Sequence, residues 1–141
     1  MTAFERARQL SGGDQLAAGS ALVLIGGSLA PWVKFTAGDG VRGDYISGIE
    51  FNAGALTLLI GALVIFLLVR RATAERGVDS GAIAALGLLA GALIAVTGIR
   101  YHQHSFSVDW GLWVTAVGAL ALLISGLVGV GGETEAPPPP D

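Results

Sequence analysis

The residues with the most potential for chemistry lie in one stretch, RYHQHSFSVDWGLW, at positions 100–113. His102 and His104 are two residues apart, and Asp109 follows them. Alternate side chains of an extended strand share a face, so the two imidazoles could bind one metal ion. A structural zinc site needs four ligands, and the chain has no cysteine. We therefore expect no metal site here and interpret the stretch as a polar loop.

The rest of the sequence shows no arrangement of nucleophile, base or metal ligands that is typical of an enzyme. Its apolar segments contain no ionisable residue except at their edges. Ion-coupled transporters usually carry such a residue at mid-membrane. We therefore expect neither an enzyme nor an ion-coupled transporter, and no cofactor.

The composition is typical of a membrane protein. Hydrophobic residues make up 52% of the 141 residues and charged residues 13%, whereas soluble domains carry about 25% charged residues. The 22 glycines also fit membrane helices, in which glycine is more frequent than in soluble ones. The small net charge of −3 argues against nucleic acid as a partner.

Four apolar runs predict four transmembrane helices, at residues 16–33, 53–69, 82–99 and 112–130. Each has about 17–19 residues, near the lower limit for crossing a bilayer. The predicted fold is an all-α membrane protein, a bundle of four helices in two hairpins. Residues 1–15 form a cytoplasmic segment in this prediction, and residues 131–141, which contain four consecutive prolines, form a disordered cytoplasmic tail.

The basic residues predict the orientation of the bundle. Those on the side of the termini are Arg6, Arg8, Arg70, Arg71 and Arg76, and those on the other side are Lys34, Arg42 and Arg100. Loops rich in Lys and Arg stay in the cytoplasm. The bias predicts a multi-pass protein of the cell membrane with both termini cytoplasmic.

The two outer loops predict a small extracellular β-hairpin or sheet above the helices. The first loop has a GDG turn signal at 38–40, followed by β-prone residues, and the third loop could add a strand. Most aromatic residues also fall on this side. Two interpretations remain open: a belt at the lipid headgroups, or a packed cap with a partner surface.

Residues 52–63 and 109–120 align without gaps as NAGALTLLIGAL and DWGLWVTAVGAL. This similarity indicates either an internal repeat of two hairpins or the chance likeness of Ala/Gly/Leu-rich helices. Asn52 and Asp109 begin the two segments, where their side chains can cap a helix.

The predicted packing residues are glycines and tryptophans. Gly87 and Gly91 form a GxxxG motif, which allows two helix backbones to approach closely. Trp32, Trp110 and Trp113 are the other candidates. We expect Trp110 and Trp113 to anchor the start of the fourth span at the interface and to cover the end of the bundle.

A first span ending in APWVKF (30–35), a glycine-rich outer loop and a Gly-Ala-Leu span together resemble small four-span membrane proteins of haloarchaea and actinobacteria. The resemblance implies the four-span shape and assigns no site residues. The shape is also similar to the claudin type, with four helices and an extracellular sheet. The sequence departs from that type because it lacks a cysteine pair, and GLW (111–113) begins the fourth span instead of lying in the first loop.

Two functional hypotheses follow. The first is a non-enzymatic structural or accessory membrane protein, which acts through helix packing and its outer loops in a homo-oligomer or a larger membrane complex. The alternative is an oligomeric pore or carrier for an uncharged or lipidic solute. The alternative predicts a polar stripe on a common axis, formed by Thr57, Thr97, Thr115 and Ser125.

Overall fold

The computed structural model describes residues 11–34, 45–73, 79–102 and 107–134. The helices in these ranges are α1 (Gly12–Leu29), α2 (Asn52–Thr73), α3 (Ser80–His102) and α4 (Trp110–Thr134). The strands are β1 (Pro31–Lys34), β2 (Tyr45–Ser47) and β3 (Ser107–Val108), and a 3-10 turn (Gly48–Glu50) precedes α2. The turn signal at 38–40, His104, most of the predicted cytoplasmic N-terminal segment and the proline run lie outside the described residues.

Three helices are long and apolar enough to cross a membrane: Asn52–Thr73, Ser80–His102 and Trp110–Gly131. The prediction of long apolar helices is confirmed for these three. The first helix, α1, has 18 residues and carries Asp14 in its first turn. Its polar first turn lowers its mean hydropathy, and it is not among the three.

The predicted first span is wrong at its outer end, because α1 stops at Leu29. Ala30 is extended, with φ −75° and ψ 162°, and Pro31 begins β1. A residue before proline is disfavoured in the helical region, since the proline ring clashes with it. Trp32 and Val33 are apolar and therefore lengthen the apolar run in the sequence, but they lie in the strand β1.

The other three helices extend beyond the predicted spans at both ends. Polar residues such as Arg71 in α2 and Arg100 in α3 continue the helix after the apolar run ends. At the C-terminal side α4 continues to Thr134. The predicted disordered tail therefore begins too early, since 131–134 are helical.

A three-stranded antiparallel sheet covers one end of the helices in the order β2-β1-β3. Val33 in the central strand pairs with Ile46 on one side and Val108 on the other. The register shifts between Pro31 and Val33, at Trp32. The predicted small sheet is confirmed, but its central strand comes mostly from the end of the predicted first span and not from the first loop.

In the bundle, α1 packs between α2 and α4, and α4 also packs on α3, whereas α2 and α3 pack less closely. Small residues allow the close contacts. A Cβ atom added at Gly27 would lie 2.8 Å from the backbone nitrogen of Thr115, and one at Gly126 would collide with the backbone of Ala84. Helix backbones that approach this closely gain van der Waals contacts along their length.

Candidate functional site

A buried hydroxyl pair joins α1 to α2 near the sheet. Ser28 Oγ and Thr57 Oγ1 are 2.7 Å apart, and both residues are fully buried. Ser28 Oγ also lies 2.8 Å from the carbonyl oxygen of Leu24, and Thr57 Oγ1 lies 2.9 Å from that of Gly54. Each hydroxyl has a single proton, so three short contacts share two protons. The pair satisfies its own polar atoms inside the bundle and leaves no reactive group exposed.

Trp32 closes the bundle directly beneath the sheet. Its indole Nε1 donates to the carbonyl oxygen of Gly27 at 2.9 Å, and its side chain is fully buried. The ring stacks on Phe51 with a centroid distance of 6.3 Å. A Cβ atom at Gly48 would collide with the indole ring. The 3-10 turn therefore requires glycine at Gly48 to seat the tryptophan.

The other two tryptophans lie on the surface at the same end. Trp110 is 58% exposed and Trp113 is 68% exposed. The prediction that they cover the bundle is wrong, because Trp32 has that role. A sequence cannot separate these roles, since all three tryptophans flank apolar segments. Trp32 lies at the register shift of β1, and its side chain is buried there.

The two glycines of the GxxxG motif have different surroundings. A Cβ atom at Gly87 would lie 2.5 Å from the backbone nitrogen of Leu123 in α4. At Gly91, one turn later, a Cβ atom would meet nothing within 4 Å. Of the two motif glycines, Gly87 makes the close contact among the described residues. Gly91 lines an apolar groove of about 910 Å³ between α3 and α4.

The two predicted capping residues occupy different positions relative to the first residue of their helices. Asp109 lies directly before α4, and its Oδ1 accepts a hydrogen bond from the Trp110 backbone nitrogen at 2.7 Å. Asn52 is already the first residue of α2. The Ala55 backbone nitrogen donates to the carbonyl oxygen of Phe51 at 3.0 Å, so Phe51 occupies the cap position.

An ion pair at the opposite end of the bundle ties α1 to α2. Arg71 Nη1 donates to Asp14 Oδ1 at 2.9 Å, with side chains 26% and 10% exposed. Ser80 and Ser125 are buried beside it and line the same cavity of about 300 Å³. Sequence reasoning missed this pair. It placed Asp14 in a cytoplasmic segment and treated Arg71 only as an orientation signal.

The hydroxyl residues of the predicted polar stripe lie inside the single chain. Thr57 and Thr115 are fully buried, Ser125 is 3% exposed and Thr97 is 8% exposed. Each bonds to a carbonyl oxygen of its own helix at 2.7–2.9 Å. All four are therefore buried within one copy of the chain.

His102 is the last residue of α3 and is exposed, whereas His104 lies outside the described ranges. Among the residues that the structure describes, no group of three His, Asp or Glu side chains could hold a metal ion. A cleft of about 640 Å³ lies between α2 and α3 at the sheet end.

Comparison with known proteins adds no relative. No protein-family model matches the chain, and neither a curated protein nor a solved structure matches it significantly.

Proposed function

We propose that the protein is a four-span integral membrane protein, with α1 as the fourth span. The support comes from packing: α1 lies along α2 and α4 and touches both closely. A Cβ atom at Gly61 in α2 would lie 2.7 Å from Ile25 in α1, and one at Gly118 in α4 would lie 3.0 Å from the Leu24 nitrogen. A helix of 18 residues spans about 27 Å. Because α1 lies between two membrane-spanning helices in this proposal, it shares their depth.

In the same proposal both termini are cytoplasmic and the sheet is extracellular. The ion pair of Asp14 and Arg71 marks the end at which α1 starts and α2 ends. Arg70 and Arg71 at that end supply the positive charge that retains a loop in the cytoplasm. The sheet and Trp32 lie at the other end, toward the outside of the cell membrane.

The function that the geometry supports best is that of a non-enzymatic structural or accessory subunit. One observation carries this proposal: at the sheet end, direct contacts close the interior of the bundle. Ser28 bonds to Thr57, Trp32 bonds to Gly27, and none of the buried polar side-chain atoms that the structure describes lacks a partner. A bundle closed at this end offers its surfaces for function, namely the outer cap (the sheet and the 3-10 turn) and the lipid-facing helix sides.

The closed sheet end also favours this function over a pore or carrier. A solute path needs polar groups that face a shared space. The hydroxyls of the predicted stripe are instead bonded within their own helices. An accessory subunit needs only a rigid outer cap with which to contact a partner. In this proposal the partner is a further copy of the chain or another membrane protein.

The test is co-purification in a mild detergent with mass measurement of what accompanies the tagged protein. The variant Ile49→Ser changes a side chain of the cap that is 46% exposed. Its matched control is Leu59→Ser, a change on the side of α2 that is 61% exposed. We expect the associated protein to be lost with the cap variant and retained with the control. Recovery of a bare monomer from native membranes under the mildest conditions would refute the accessory role.

A further inference from the structure

The cleft between α2 and α3 has two walls of different origin. One comes from the 3-10 turn and the start of α2, and the other from the last turns of α3. It encloses about 640 Å³, enough for the headgroup and upper chain of one amphiphile. It exists because α2 and α3 pack less closely than the other neighbouring helices.

Polarity changes along the cleft. Glu50 and Arg100 lie at its sheet end, one on each wall. Leu56 on α2 and Leu93 on α3 line it farther from the sheet. Leu93 precedes Arg100 by two helical turns, or about 10 Å. A charged mouth above an apolar floor fits a molecule with a charged head and a hydrocarbon chain.

An aromatic contact bounds the mouth. The rings of Phe51 and Tyr101 meet edge to face across the two walls, with centroids 4.9 Å apart. Phe51 in turn stacks on the buried ring of Trp32. The mouth is therefore connected through Phe51 to the buried ring of Trp32.

We propose that this cleft binds one phospholipid whose headgroup carries both a phosphate and a primary ammonium. The planar guanidinium of Arg100 suits the phosphate oxygens, to which it can donate two hydrogen bonds. The carboxylate of Glu50 accepts the ammonium. That carboxylate already accepts from Ser47 Oγ at 3.2 Å and has further acceptor positions. The acyl chain lies along Leu56 and Val96, both exposed in the chain alone.

Selection for a zwitterionic headgroup distinguishes this site from ordinary lipid contact. A singly anionic headgroup brings a net negative charge to Glu50 and no ammonium for it to bind, and a neutral diacylglycerol offers Arg100 no phosphate. The first lipid is disfavoured by repulsion, and the second lacks an attraction that the zwitterionic headgroup supplies. The inference rests on the proposed membrane location and is independent of the accessory role.

The experiment is native mass spectrometry of the full-length protein, titrated with lipids of identical chains: phosphatidylethanolamine, phosphatidylglycerol and diacylglycerol. We expect one phosphatidylethanolamine to bind about tenfold more tightly than either of the others, since one charge-assisted hydrogen bond contributes roughly 1.5 kcal/mol. Equal retention of all three lipids identifies ordinary surrounding lipid and overturns the proposal. Tighter binding of phosphatidylglycerol assigns an anionic lipid and overturns the zwitterionic class.

Variants of the lining residues test whether the lipid binds in this cleft. Arg100→Gln and Glu50→Gln should each weaken phosphatidylethanolamine about tenfold, and Glu50→Gln should leave phosphatidylglycerol unchanged or bound more tightly. Arg70→Gln, at the opposite end of α2, is the matched control and should bind as the unaltered protein does. Leu56→Trp fills the cleft from an exposed position and tests the site without removing a charge. If phosphatidylethanolamine binds to Leu56→Trp and to either charge variant as tightly as to the unaltered protein, the lipid binds elsewhere.

Discussion

The hydroxyls of Ser28 and Thr57 lie 2.7 Å apart in the fully buried interior and link the end of α1 to the first two turns of α2. Both also approach carbonyl oxygens of their own helices. The link therefore requires that the two helices keep their relative depth. When one hydroxyl is removed, the other can still donate its proton to the carbonyl oxygen of its own helix.

Thr57→Val keeps the shape of the side chain and removes the hydroxyl, so it should reduce the free energy of unfolding by about 0.5–1.5 kcal/mol, the range of interhelical bonds in membranes. Ser28→Ala should cost a similar amount. Because the two residues share one bond, the double variant should cost less than the sum. Unfolding in detergent, followed by circular dichroism, measures all three. Strict additivity would show that the link contributes nothing.

Trp32 should be the tryptophan on which stability depends. Trp32→Phe keeps the aromatic ring but loses the hydrogen bond to Gly27, and Trp32→Ala also leaves a cavity under the sheet. We expect a loss of about 1 kcal/mol for the first and about 3–5 kcal/mol for the second. Trp113→Ala, at a site 68% exposed, is the control and should leave the melting temperature nearly unchanged. A larger loss for Trp113→Ala than for Trp32→Ala would contradict the packing described.

Replacing Gly87 and replacing Gly91 by leucine should have different effects on the stability of the fold. Gly87→Leu places bulk against the backbone of Leu123 and should destabilise the fold by about 1–3 kcal/mol, as overpacked cores do. Gly91→Leu enters open space and should keep the thermal stability of the monomer in detergent. If Gly91→Leu instead disrupts an assembly at unchanged monomer stability, the groove beside it is an interface. Equal melting temperatures for both variants would contradict the α3–α4 contact.

The chain has no cysteine, so single cysteines report topology directly. Ser107→Cys lies in β3 and Thr73→Cys at the last residue of α2. With the sheet outside, an impermeant thiol reagent on intact cells should label position 107 and not position 73. Permeabilised cells, in which both positions should react, are the control. Labelling of Thr73→Cys alone would reverse the proposed orientation.

The glycines show how well an alignment of segments within the chain predicts helix contacts. The aligned segments 52–63 and 109–120 equate Gly61 with Gly118, and each of these two glycines makes a close contact with α1, at Ile25 and Leu24 respectively. Residues 21–30 (ALVLIGGSLA) in α1 and 85–94 (ALGLLAGALI) in α3 align more weakly, and this alignment equates Gly27 with Gly91. Gly27 touches Thr115, whereas Gly91 has open space. Equivalent residues therefore differ in role, because α1 has two close neighbours and α3 has only one.

The sequence by itself determined the apolar helices, because hydropathy summed over a helix is a local property that the chain composition already contains. It also predicted a small sheet from turn signals in the loops. Tertiary structure alone decided which tryptophan is buried, which glycine of GLLAG touches a helix, and that Asp14 meets Arg71. These facts depend on the angle and depth at which helices cross. Small shifts in that geometry exchange one contact for another, and no local pattern of residues records them.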